Sequence, residues 1–126
     1  MECIHCHTKP SDFGGFEGGP SFVVAGTVYP TGHEPDLCNG VDGGVDHVAV
    51  VLTDANGVEF SIPVNGVGNF FATYADLPSG FTDPIHAKVV SDKGERVMVA
   101  ALTSGDCNSC HTQDGANGAP GRIVAP

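Results

Sequence analysis

The sequence predicts an all-β fold, an antiparallel, Greek-key-like sandwich of about six to seven strands. Three observations predict it. Eighteen Gly and nine Pro in 126 residues, with no Trp, ask for many turns and short elements rather than a helical bundle. Several short runs alternate apolar and polar residues with a period of two. Turn signals separate those runs at the spacing found between strands of a sandwich.

Each element can be justified in order. Residues 1–12 hold a first cysteine pattern, and the glycine-rich stretch 14–20 reads as a linker. Residues 21–29 are β-branched and apolar, a first strand. Residues 47–53 form a second, with Val48, Val50 and Leu52 on one face. Asp54-Ala55-Asn56-Gly57 is a hairpin turn signal. Residues 58–64 then alternate, with Val58, Phe60, Ile62 and Val64 inward and Glu59 and Ser61 outward. Residues 69–74, 85–91 and 96–102 complete six strands, the last two joined by a turn at Asp92-Lys93-Gly94-Glu95. The chain thus divides into 1–20, a cysteine motif and linker; 21–102, the sandwich; and 103–126, a second motif and a Gly-, Ala- and Pro-rich tail.

Charge and composition exclude several function classes. Five Lys and Arg stand against 15 Asp and Glu, a formal net charge of −10. Nucleic acid and anionic membrane surfaces both require clustered basic residues, which this chain lacks. No apolar run approaches the roughly 20 residues of a spanning helix. Met1-Glu2 leads directly into Cys3 with neither the basic start nor the apolar run of a signal peptide. Together with the motifs below, this leads us to expect a mature chain numbered after cleavage, extracellular or at the cell surface, with the periplasm as second choice.

The cysteines carry the chemistry. Four of the five fall into two copies of one pattern, Cys3-Ile4-His5-Cys6-His7 and Cys107-Asn108-Ser109-Cys110-His111. Cys-x-x-Cys-His is the attachment signature of haem c. Two thiols add across the two vinyl groups of one porphyrin, and the adjoining His reaches the iron from one face. A structural zinc site could use the four thiolates, but zinc does not require His directly after both second cysteines. A redox dithiol lacks its βαβ context here. A disulfide within each pair would be strained and would leave both His unexplained. The fifth, Cys38, reads as a free thiol or, under oxidising conditions, an intermolecular disulfide. It lies in a loop with Asp36, Asp42 and Asp46 among glycines. That spacing fits a solvated turn better than a calcium loop.

Two resemblances add to this reading. The stretch Ala25-Gly26-Thr27-Val28-Tyr29, residues 48–57 and Gly68-Asn69-Phe70-Phe71 resemble the carboxypeptidase-regulatory-like, or transthyretin-like, sandwich modules over about two-thirds of the chain. In those modules the strands are scaffold or adhesive surface. The pair of motifs, with Asp106 to Thr112 running into Gly115-Ala116-Asn117-Gly118-Ala119-Pro120-Gly121-Arg122, resembles small multihaem c-type cytochromes of electron-transfer systems. That resemblance implies two covalent haems, on Cys3 and Cys6 and on Cys107 and Cys110. It implies irons ligated by two His each, with His7 and His111 proximal.

No motif fixes the distal ligands. His5, His33, His47 and His86 are the four remaining His, and two irons need two of them. Met98 is a possible sulfur ligand, although its place in a strand suits a core role better. The expected function is electron transfer as a dihaem cytochrome, not catalysis. Its partners are redox proteins or extracellular electron acceptors. A dihaem enzyme such as a peroxidase and a zinc-stabilised adhesive sandwich are the alternatives. Six reversing strands further predict that both haems lie at one end, with the loop 75–84 and His86, and that His33 and His47 lie at the other. From there His33 or His47 would ligate a haem of the next subunit. Such a heterologous contact builds a homopolymeric filament of stacked haems.

Overall fold

The computed structural model describes residues 23–37, 39–73, 75–102 and 105–126. Cys3, His5, Cys6, His7 and Cys38 lie outside the described residues. The described chain is all β, apart from one turn of 3₁₀ helix. It has seven strands: β1 (Val24–Tyr29), β2 (Ala49–Thr53), β3 (Glu59–Pro63), β4 (Asn69–Ala72), β5 (His86–Ser91), β6 (Gly94–Val97) and β7 (Ile123–Val124). They form two sheets, one of three strands in the order β4-β1-β7 and one of four in the order β3-β2-β5-β6. Every pairing is antiparallel except β1 with β7. Neither β1–β4 nor β2–β5 joins consecutive strands, the crossing connectivity of a Greek-key-like sandwich.

The core lies between the sheets. Val24, Val28 and Phe70 come from the first sheet, and Val50, Leu52, Ile62 and Val89 from the second. The alternation read along 47–53 is realised, since Val48, Val50 and Leu52 are all buried. The Asp54-Ala55-Asn56-Gly57 signal closes the β2–β3 hairpin, in which Thr53 pairs with Glu59. Asp54 is only 3% exposed. Its Oδ1 accepts from the backbone N–H groups of Asn56 and Val58, and its Oδ2 from that of Thr82. Burial pushes this carboxyl up. The N–H bonds from Val58, Thr82 and Asn56 outweigh that and hold it below its ordinary value.

β1 is the buried axis of the molecule, with all six residues below the surface. A strand covered on every side reads as a continuous small and apolar run rather than an alternation. Gly26 belongs there because a Cβ would stand 2.5 Å from the Phe70 ring and 3.0 Å from Cys107 Cβ.

Several boundaries differ from expectation by a residue or more, and two of them matter for packing. Val58 is 41% exposed, because it sits in the turn beyond the last β2–β3 pair. The strand expected over 96–102 stops at Val97; Val99 is fully exposed, and Leu102 returns only as an isolated bridge to Ile85. Met98 therefore lies just past β6, half-buried, with its N–H on Ala87 O. β7 was hidden in the tail, since two residues between Gly121-Arg122 and Ala125-Pro126 carry no periodicity.

Candidate functional site

The C-terminal motif is built onto the edge of β1 opposite β4. Gly105 O accepts from Ala25 N–H, and Asp106 bridges Ala25 in parallel. One step along, Thr27 N–H donates to Asn108 Oδ1 at 3.1 Å, so a side chain stands in for a backbone acceptor. Asn108 Nδ2 returns a bond to Thr27 Oγ1, which in turn donates to Asn69 Oδ1 on β4. Further on, the same edge is taken by β7, with Val28 opposite Ile123 and Tyr29 opposite Val124. Residues 109–122 are therefore an excursion clamped at both ends by one strand. Asp106 and Ile123 pair with β1 residues only three positions apart, roughly 10 Å along the strand.

Within the excursion the backbone winds tightly. A 3₁₀ turn spans Cys107–Ser109, with Cys110 N–H and His111 N–H both directed to Cys107 O. Three residues per turn bring positions 107 and 110 to the same side. Both cysteines are half-buried, and Cys107 Sγ donates to Gly105 O at 3.5 Å. Cys107 packs against the hydrophobic core, and Cys110 Sγ accepts from Asn117 Nδ2 at 3.6 Å. Gly115, at φ +81°, closes the loop where a Cβ would come within 1.9 Å of Ala119 O.

His111 is oriented by its backbone surroundings. Its Nδ1 lies 2.9 Å from Gly121 O. A carbonyl oxygen only accepts, so Nδ1 carries the proton and Nε2 keeps its lone pair. This is the arrangement of a metal-ligating imidazole, whose second nitrogen is held by a carbonyl or carboxylate. Among the described residues no three His, Cys, Asp or Glu side chains gather closely enough to hold one metal ion. Cys107, Cys110 and His111 are thus spread more widely than zinc ligands, which sit about 2.0–2.3 Å from their ion. Haem c would not need the three side chains to meet at one ion, because the thiols would bond the porphyrin edge and only the imidazole would meet the iron. A four-thiolate site would draw on Cys3 and Cys6, outside the described residues.

The other histidines fall in three different places. His33 Nδ1 lies 2.7 Å from Gln113 O, which again leaves Nε2 bare. A Cβ on Gly121 would stand 3.2 Å from the His33 ring and 2.4 Å from Gly32 O, so His33 and His111 share the Gly121 peptide. This corrects the expectation that His33 lies at the far end from the second motif. The motif starts level with Ala25 but runs along β1 toward Tyr29, and the loop after Tyr29 carries His33. Gly105 does line a cavity of about 460 Å³ with loop residues Leu77, Pro78 and Phe81, as an end-to-end placement would have it. His111 is not among the residues lining that cavity; its Nδ1 is tied to Gly121 O, just before β7.

His47 stands just before β2 with a left-handed backbone, φ +52°. Its Nδ1 meets Asp92 Oδ2 at 2.7 Å, and its side chain is 78% exposed. The hydrogen bond to Asp92, then the charges of Asp92 and Asp46, raise its pKa above the ordinary value. His86 opens β5 opposite Thr53, exposed. The loop carboxylates serve turns: Asp36 Oδ1 accepts from Asn39 N–H, Asp42 Oδ1 from Gly44 N–H, and Asp46 pairs with Lys93 Nζ.

Sequence reasoning missed Arg122 and Tyr29. Arg122 is buried, 5% exposed, with its guanidinium 4.7 Å above the Tyr29 ring. Its Nε donates to Glu34 O, Nη2 to Asp36 O, and Nη1 reaches His111 O at 3.5 Å. A lone Arg in a glycine-rich tail gave no signal of burial. Among the described residues, no helix is long and apolar enough to cross a membrane. Compared with family models, curated proteins and solved structures, the chain finds no match.

Proposed function

We propose that this chain is a dihaem c-type cytochrome that carries electrons, and that it works as a subunit of an extracellular, haem-stacked filament. The observation that carries the reading is the fold of the second motif. Two cysteines sit one 3₁₀ turn apart, beside an imidazole whose Nδ1 is tied to a carbonyl and whose Nε2 is left for iron. The first motif repeats the same residues at the same spacing. Such haems supply one-electron redox chemistry, and the chain's part is to hold, orient and shield them.

The filament reading rests on His47. Its ring is exposed on the four-stranded sheet side, and Asp92 fixes Nδ1 so that Nε2 faces outward bonding. A ligand so placed suits the iron of a neighbouring copy. His33, beside the second motif, suits an iron near its own chain's haem.

The test is intact-protein mass of the secreted chain with a pyridine haemochrome count. The mass should exceed the polypeptide by two haems, and replacing Cys107 and Cys110 with Ala should remove one. A mass equal to bare polypeptide plus zinc ends this reading. Carbon monoxide binding to the reduced, assembled wild type would move it to a dihaem enzyme, since an assembled electron carrier keeps both irons six-coordinate.

A further inference from the structure

We propose that Arg122 is a fixed positive charge that raises the reduction potential of the haem held by Cys107, Cys110 and His111. This rests on the haem reading above. The argument begins with burial. A charged group is removed from water only where something compensates it. Arg122 is compensated by dipoles rather than by an opposite charge. Its donors go to the carbonyl oxygens of Glu34, Asp36 and His111, and its face lies on the Tyr29 ring. The two carboxylates on the same loop are turned to other donors. Glu34 Oε1 accepts from Thr31 Oγ1 at 2.6 Å, and Asp36 accepts from Asn39 N–H and Nδ2. Among the described residues Arg122 has no ion pair.

A full positive charge therefore remains in a poorly solvated place, one hydrogen bond from the backbone of His111. Gly121, the residue before it, supplies the carbonyl that holds His111 Nδ1. The backbone N–H of Arg122 donates to Gly32 O at 2.7 Å, and its Nε and Nη2 donate to Glu34 O and Asp36 O, so backbone and charge are both held in place. When the iron takes one electron from a redox partner protein, Fe(III) becomes Fe(II) and the site loses one positive charge. No bond to Arg122 forms or breaks. A nearby fixed cation repels the ferric state more than the ferrous one, and low dielectric strengthens that preference. Arg suits the task because it stays protonated at every working pH. In a chain of net charge −10, whose field pulls both haems toward low potential, this sets the second haem apart from the first.

The experiment is a spectroelectrochemical titration of wild-type, Arg122→Gln, Arg122→Met and Arg122→Lys holoprotein, at low and at high salt. Wild type should titrate as two one-electron components. In the Gln and Met variants one component should move to lower potential, by about tenfold in its equilibrium constant, or ~59 mV for one electron. The Lys variant should recover most of that shift. The shift should survive high salt, because buried charges are screened little. Unchanged potentials in both neutral variants overturn the proposal. So does failure of both to yield holoprotein, which would assign Arg122 to holding the loop rather than tuning the iron. A wild-type chain without haem is a different failure, read from its mass before any variant is made.

Discussion

A single carboxylate shows how much one residue can organise. Asp54 holds the β2–β3 turn through two N–H groups of its own hairpin and reaches across to Thr82 N–H in the long loop before β5. All three bonds favour the ionised form, so its folded pKa lies below the ordinary 3.8. A depressed carboxyl contributes stability that is fully present above the unfolded pKa and is lost as pH falls through the folded one. Asp54→Asn should therefore melt lower than wild type at neutral pH, and the gap should narrow as pH drops below about 3.8. Thermal melts at pH 7 and pH 2.5 compare the two; a gap that stays constant would show that the charge is not what the turn requires. At this scale the sequence was readable. The Asp-Ala-Asn-Gly signal names the turn, though not the partner at Thr82, which is distant in the chain.

The element that matters most is the split edge of β1. Asn108 supplies the acceptor that Thr27 N–H would otherwise lack, inside a fully buried site. Asn108→Ala leaves that N–H without a partner, at a cost of about 1–3 kcal/mol, measurable by denaturant titration. Asn117→Ala, on the exposed side of the same loop, should cost far less; equal losses would mean that Asn108 is not the clamp. The strands whose faces alternate, such as β2 and β3, were legible because one side meets the core and the other water. β7 was not, because a two-residue strand is defined by the edge it joins and not by any pattern of its own. The same miss moved His33. With no strand assigned to the tail, nothing placed Gly121 and Gln113 against the loop after β1. Cys107, Cys110 and His111 were legible because their spacing is local chemistry. The buried Arg122 was not, because its burial depends on where the tail goes.

For the whole molecule, charge and histidine placement set the conditions for the proposed assembly. Subunits of net charge −10 repel one another, and added salt shortens that repulsion to about 10 Å at 0.1 M. Assembly should accordingly be promoted by salt, as seen by light scattering and electron microscopy of the purified holoprotein. Replacing His47 alone should leave both haems attached yet abolish filaments, with one iron newly able to bind carbon monoxide. Filaments that form as before would remove His47 from the contact between subunits.

The parallel pairing of β1 with β7 has a consequence for the order of events in time. β1 is near the start of the described chain, and the residues that complete its second edge, Gly105–Asn108 and Ile123–Val124, come after every other strand. Until they are made, the most buried strand of the protein has an open side. Non-local closure of this kind is slow compared with hairpins such as β2–β3. On the proposed haem reading, attachment at Cys107 and Cys110 would come while this segment is still off β1, and docking on β1 would then cover the motif.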